Sequence, residues 1–140
     1  MKTCNLPILQ RKGKRLIDAH IRISNPSTGK SQAVKALIDT GADVCMLPMM
    51  LANYLGLPFD DAHKSNSNIK GVTGKALETY EYDLQVDVLD VTMRNIVHTL
   101  TVKFKYGRNN LYPPILGTEG FLEHSKLTVD YIKHMITLEF

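Results

Sequence analysis

Apolar and polar residues alternate along three segments of the chain. The segments cover residues 17–24, 79–88 and 96–104, and in each the apolar side chains occupy every second position. A period of two places them on one face of a strand and the polar residues on the other. Half-buried strands with one wet face are typical of antiparallel sheets. The pattern therefore predicts antiparallel β-structure through most of the chain.

The remaining segments fit short connections and additional strands. Turn-forming residues at 25–29 separate the first strand from an apolar segment at 33–38, which predicts a hairpin. A short helix is expected to begin at Pro48 and end at Gly56, and a second around residues 119–124. Strands are also expected at 126–130 and 135–140. The whole chain, residues 1–140, is predicted to be one mostly-β domain.

Length and composition narrow the class of protein. A chain of 140 residues suits one domain and is too short for two full lobes. The net charge is only +3, and the densest basic run, at 11–15, has no interleaved aromatic residues. This run is interpreted as a solvated amino-terminal arm, and no nucleic-acid partner is expected. No apolar run is long enough to span a bilayer, so no membrane segment is expected in this chain.

The two cysteines and five histidines offer little for metal or disulfide chemistry. Cys4 and Cys45 are too few for a disulfide framework, which favours a reducing, cytoplasmic setting. Cys45 has apolar neighbours and is expected to be a buried structural thiol. The histidines lack paired ligand spacing, and the segment 60–63 is expected to be a solvated turn. No metal or cofactor is expected.

The most informative segment is residues 36–43, in which an apolar strand ends abruptly in Asp39, Thr40 and Gly41. An acid at the tip of a strand lies where a carboxylate is partly desolvated, and glycine allows close backbone approach. The triplet alone is also compatible with an ordinary turn. Two further features add context: the glycine-punctuated segment 69–75, which suits a hairpin over a cleft, and the short apolar segment 114–117 that ends in Gly117.

In this order, the Asp39-Thr40-Gly41-Ala42-Asp43 segment, the glycine-rich tip 71–74 and Ile115-Leu116-Gly117 resemble the landmarks of retropepsin-like aspartic proteases. The resemblance covers about residues 14–140. It implies a retropepsin-like closed β-barrel of antiparallel strands, with a flap hairpin and one or two short helices. It also implies a homodimer in which each subunit gives one aspartate and the flap closes over an extended peptide.

The resemblance assigns roles by position. Asp39 is expected to be the catalytic acid or base, Thr40 to bond across the dimer interface, and Gly41 to line the floor of the site. Ala42 and Asp43 are expected to contact the substrate from below, and the flap residues Val72, Thr73 and Gly74 from above. Ile115 and Leu116 are expected to be core behind the catalytic loop. Thr118 stands where many retroviral relatives carry an arginine that supports the dimer, so the interface is expected to differ at this position.

The amino-terminal segment 1–13 is expected to form an arm or an interface strand. The terminal strands 5–9 and 136–140 either form a sheet shared between subunits, as in relatives, or close each subunit's own edge.

Chain length supports the dimer independently. Aspartic protease chemistry needs two carboxylates close enough to share one proton, one acting as base on a water and the other as donor to the scissile carbonyl. The chain has a single Asp-Thr-Gly, so the second Asp39 must come from another copy across a two-fold axis. The sequence therefore predicts a homodimeric aspartic endopeptidase that cleaves extended peptides or unfolded proteins. It is compatible both with a separate protein and with a chain that is released from, or part of, a longer protein. The alternative is a catalytically silent dimerisation or peptide-binding module with the same fold.

Overall fold

The computed structural model describes residues 2–65, 69–70 and 76–140, and most of them lie in strands. The amino-terminal half contains β1 (Thr3–Pro7), β2 (Leu9–Arg11), β3 (Lys14–Leu16), β4 (Asp18–Ser24), β5 (Ser31–Ile38) and β6 (Cys45–Leu47). The rest contains β7 (Ile69–Lys70), β8 (Ala76–Leu77), β9 (Tyr80–Leu89), β10 (Ile96–Tyr106), β11 (Ile115–Leu116), β12 (Lys126–Asp130) and β13 (Met135–Glu139). Helical structure is limited to α1 (Met49–Tyr54) and the 3₁₀ turns Asp61–His63 and Leu122–His124.

Six strands form a closed barrel in the order β10-β6-β11-β5-β4-β9. This confirms the predicted mostly-β, barrel-like fold with short helices. Two of its ladders, β5–β11 and β6–β10, are parallel, whereas antiparallel pairing was expected throughout. The reason is that β11 and β10 reach their neighbours after long crossovers, which do not impose the antiparallel direction of a hairpin.

The barrel interior is the hydrophobic core. In the alternating segments of β9 and β10, Leu84, Val86, Val88, Val102, Phe104 and Tyr106 are fully buried, as a period-two strand with one buried face requires. At the start of β10 the pattern is looser, and Ile96 is 53% exposed. Other fully buried side chains come from β4, β6, β11 and the segment before the second 3₁₀ turn. Among them are Ile21, Ile23, Leu47, Leu116 and Phe121.

Helix α1 begins after Pro48 and ends before Gly56, whose φ of 73° is in the left-handed region that glycine adopts readily. The apolar side chains of α1 and of the residue after it are divided between the core and the solvent. Leu51 and Leu55 are buried, whereas Met50 and Tyr54 are exposed. With only six residues in α1, and no longer helix in the described part of the chain, no helix here is able to cross a membrane.

The chain termini form a second, three-stranded sheet in the order β1-β13-β12. Strand β1 pairs with β13 from Thr3↔Glu139 to Pro7↔Met135, and β13 pairs with β12 from Lys126↔Glu139 to Asp130↔Met135. The two terminal strands thus pair within one chain, and β1 and β12 are the edges of their sheet. The basic run lies on a further hairpin, since β2 and β3 pair across the turn at Lys12 and Gly13.

Asp90 organises the turn between β9 and β10. Its Oδ1 accepts hydrogen bonds from the hydroxyl and the backbone N–H of Thr92, at 2.6 and 3.1 Å, and its Oδ2 accepts one from Asn95 Nδ2 at 2.6 Å. These donors favour the ionised carboxylate and lower the pKa of Asp90 to about 2, with the Thr92 hydroxyl as the largest cause.

Asp90→Asn is expected to remove a pH-dependent part of the stability. Because the folded state lowers the pKa of Asp90, the ionised side chain stabilises the protein above about pH 4, and this contribution is lost as the pH falls towards 2. Chemical denaturation should show wild type to be more stable than the variant at pH 7, with the difference shrinking towards pH 2. A difference that stays constant with pH would contradict this assignment.

Candidate active site

The Asp39 loop begins where β5 leaves the barrel. The backbone N–H of Asp39 donates to the carbonyl of Leu116 at 3.1 Å, which extends the parallel β5–β11 ladder by one bond. The N–H of Ala42 then donates to the Asp39 carbonyl at 3.1 Å and closes a tight turn. Asp39 is therefore held at the end of a barrel strand by backbone bonds on both sides.

The carboxylate of Asp39 is fixed by its own loop. Gly41 donates its backbone N–H to Asp39 Oδ1 at 2.9 Å, and the Asp39 side chain is half-buried. A Cβ at position 41 would lie 3.3 Å from that same oxygen. Glycine at 41 thus leaves room for the carboxylate to approach the backbone, and one carboxylate oxygen is held by a charge-assisted bond.

A second segment, 117–119, lies against the Asp39 loop. Thr118 donates its N–H to the Ala42 carbonyl, and Glu119 donates to the Asp43 carbonyl, both at 2.9 Å. Between them and β11, Gly117 is in such close contact that an added Cβ would lie 2.4 Å from the Val44 carbonyl oxygen. The two segments are therefore bonded backbone to backbone, with no space for a side chain at 117.

Cys45 lies behind this junction and is fully buried. Its Sγ accepts the Gly117 N–H at 3.3 Å and lies 3.7 Å from the Glu119 carbonyl oxygen, to which the thiol donates. Burial raises the pKa of the Cys45 thiol to about 11, so the group is protonated at neutral pH and is not a nucleophile. The expectation of a buried structural thiol is confirmed.

The structure brings five of the eight expected site residues together in one loop. Of these, Thr40, Gly41 and Asp43 are exposed, while Asp39 and Ala42 are half-buried. Leu116 is fully buried behind the loop, as expected, and Ile115 is partly exposed. The expected flap residues Val72, Thr73 and Gly74 lie outside the described residues. The segments that flank them, β7 and β8, pair antiparallel.

Sequence reasoning missed the contact that Cys45 makes with the 117–119 segment. In the sequence, the apolar neighbours of Cys45 indicate that the residue is buried, but they do not indicate which segment it contacts.

The segment 60–63 is the predicted solvated turn. Asp60 accepts the backbone N–H of His63 at 3.1 Å and caps an exposed 3₁₀ turn. Among the residues that the structure describes, no three His, Cys, Asp or Glu side chains form a cluster suited to a metal ion.

Three solved structures with a similar fold are proteases or a protease-like domain. The chain is similar to a retropepsin-like aspartic protease from Rickettsia conorii, with a TM-score of 0.61, 22% identity, and coverage of 98% of this chain and 91% of that one. It is similar to EIAV protease in complex with the inhibitor HBY-793, with a TM-score of 0.55, 16% identity, and coverage of 83% and 94%. The retroviral protease-like domain of Ddi1 from Leishmania major gives 0.54, 15%, and coverage of 89% and 88%. At these identities the likeness shows a shared fold.

A comparison with curated proteins gave no match. The sequence does match the family model for the retroviral aspartyl protease over residues 16–125, which includes both the Asp39 loop and the 117–119 segment. With most of its length covered by that model, the chain belongs to the retroviral aspartyl protease family.

Proposed function

We propose that the protein is a homodimeric aspartic endopeptidase whose catalytic dyad consists of Asp39 from each of two copies. The observation that supports this proposal is the fixed position of the Asp39 carboxylate. It is half-buried at the tip of a barrel strand, and one oxygen is bonded to the Gly41 N–H at 2.9 Å. A carboxylate fixed in this way keeps its second oxygen available for a water or a second carboxylate.

The chemistry requires only the two carboxylates and a water. One ionised Asp39 takes a proton from the water, whose oxygen attacks the carbonyl carbon of the scissile peptide. The other, protonated Asp39 donates to the carbonyl oxygen, giving a neutral tetrahedral intermediate. The Asp39 that took the proton from water then gives it to the peptide nitrogen, the C–N bond breaks, and a hydroxyl of the intermediate returns a proton to the other Asp39, so that the dyad again holds one proton. No metal or cofactor takes part in this scheme.

The sequence requires a second copy of the chain to complete the dyad, and the terminal sheet offers an edge at which two copies could pair. The chain has one Asp-Thr-Gly, so a dyad needs an isologous interface that brings Asp39 to its symmetry mate. Strand β12, which follows directly on the 3₁₀ turn after the 117–119 segment, is bonded to β13 on one side and forms a sheet edge. An edge strand offers unpaired backbone groups to another chain. We place the dimer contact at the edge strand β12. Thr118 replaces the arginine of retroviral relatives, so that arginine does not contribute to this contact.

The substrate is proposed to be an extended peptide or an unfolded protein. The exposed Thr40, Gly41 and Asp43 and the half-buried Ala42 form the floor on which it would lie, and residues 72–74 would cover it. A reducing, cytoplasmic location is part of the proposal, since both Cys4 and Cys45 are buried free thiols.

Mixing wild-type protein with an inactive Asp39→Asn variant tests the shared site directly. If each active site needs one Asp39 from each copy, mixed dimers are inactive. A ninefold excess of variant should then lower the activity per wild-type chain about tenfold, because random pairing leaves few wild-type dimers. The readout is the cleavage rate of an unfolded protein substrate after subunit exchange.

An excess of the variant that leaves the wild-type rate unchanged would contradict a dyad shared between copies. A wild-type dimer that cleaves nothing would instead favour the silent peptide-binding module. Asp61→Asn is the matched control for the mixing experiment, since it makes the same change in charge on an exposed residue outside the Asp39 loop.

A further inference from the structure

Two turns at the periphery of the fold lie next to each other. One is the β2–β3 turn with the basic run, and the other connects β12 to β13. The Arg15 guanidinium lies over the Tyr131 ring, 6.0 Å from its centroid, and the Ile8 N–H donates to the His134 carbonyl at 2.9 Å. These contacts join the base of the basic hairpin to the turn of the terminal sheet.

The β12–β13 turn presents apolar side chains to solvent. Ile132 is 91% exposed and Tyr131 is 51% exposed. Asp130 Oδ1 accepts the backbone N–H groups of Ile132 and Lys133, at 3.0 and 2.9 Å, and so fixes the turn that holds Ile132 outwards. Ile132 and the neighbouring Tyr131 therefore form a small exposed apolar surface, which would gain from contact with an apolar partner.

Basic residues predominate in the two turns. Residues 9–17 and 131–135 contain five Lys and Arg residues and no Asp or Glu. The acids that flank these ranges are Asp18 and Asp130, and the Asp130 carboxylate accepts hydrogen bonds within its own turn. We define the turn patch as the exposed residues that the two turns contribute: Lys12, Lys14, Arg15, Tyr131, Ile132 and Lys133.

We propose that the turn patch docks on the surface of an anionic lipid bilayer, with Ile132 and Tyr131 in the headgroup region and the basic side chains against lipid phosphates. Basic residues are attracted to the negative potential of such a surface, and an aromatic and an aliphatic side chain gain from partial insertion. A nucleic acid would bind the basic side chains through its phosphates but would offer no apolar environment for the exposed Ile132. The bilayer offers both and is therefore the better match. This inference does not depend on peptidase activity.

Sedimentation with lipid vesicles tests the docking. Wild-type protein is expected to bind vesicles of mixed phosphatidylcholine and phosphatidylglycerol but not phosphatidylcholine alone, and to dissociate as salt is raised. The double variant Lys12→Asn, Lys14→Gln should bind roughly 30-fold more weakly. Lys12 has a φ of 50°, and asparagine tolerates this conformation, so the turn is retained. Ile132→Ser should weaken binding roughly tenfold.

The control is the double variant Lys30→Gln, Lys35→Gln, which removes the same charge from exposed positions outside the turn patch. Thermal unfolding confirms that every variant is folded. Wild-type protein that stays in the supernatant with anionic vesicles would overturn the proposal. Equal loss of binding in the control and in the Lys12, Lys14 variant would do the same, as would binding to duplex DNA in place of vesicles.

Discussion

Protein carrying Asp39→Asn is expected to lose at least about 10³-fold of its cleavage activity on an unfolded protein substrate, because a neutral amide cannot accept the proton of the attacking water. The loop itself should persist. An asparagine oxygen still accepts the Gly41 N–H, and the backbone bonds from Asp39 to Leu116 and from Ala42 to Asp39 involve no side chain. The variant should therefore fold and dimerise like the wild type.

The measurements are initial cleavage rates and sedimentation equilibrium on the same preparations. Asp61→Asn serves as the control, since it removes one negative charge from an exposed 3₁₀ turn outside the Asp39 loop. Full activity in the Asp39→Asn protein would show that peptide cleavage uses other groups. Loss of both activity and dimer would instead assign Asp39 to assembly.

Gly117→Ala is expected to have the largest effect on stability. The added Cβ would lie 2.4 Å from the Val44 carbonyl oxygen and 2.7 Å from that of Ala42, and both are backbone atoms that cannot rotate away. Relief requires separation of the segments joined by the Thr118 to Ala42 bond. Overpacking of this kind costs about 3 kcal/mol, which corresponds to a fall in Tm of roughly 10 °C for a domain of this size.

Thermal unfolding of Gly117→Ala is the measurement, with Gly29→Asn as the control. Gly29 has a φ of 72° and nothing within 4 Å of an added Cβ, and asparagine tolerates that conformation, so its Tm should change little. Equal Tm values for wild type and Gly117→Ala would mean that the two segments are not in close contact in solution. Retained stability with lost activity would place the effect of Gly117 on the site alone.

The long strands were predictable because each has one wet face. The alternation at 79–88 and 96–104 became β9 and β10 to within two residues at each end. Strand β6 was not predicted, because all three of its residues are buried and a short buried strand carries no alternation. The basic run was interpreted as an arm, although the Lys12-Gly13 pair that turns the β2–β3 hairpin was visible in the sequence.

For the candidate site, the sequence indicated the two loops but not how they meet. The Asp39 segment and Gly117 were identified from their motifs, whereas the bonds from Thr118 and Glu119 to the Asp39 loop depend on pairing between distant parts of the chain. Whether the terminal strands pair within a chain was likewise open, since strand period does not specify a partner. The structure pairs β1 with β13 of the same chain.

The bond from the Asp39 N–H to the Leu116 carbonyl has a consequence for synthesis of the protein. The ribosome makes the Asp39 loop well before the segment that supports it, and at ordinary elongation rates the interval is roughly 4 to 15 s. During that time the nascent chain has the Asp39-Thr40-Gly41 triplet but lacks β11 and the backbone partners at 118 and 119. The Asp39 loop is therefore completed late in synthesis, after most of the barrel strands have been made.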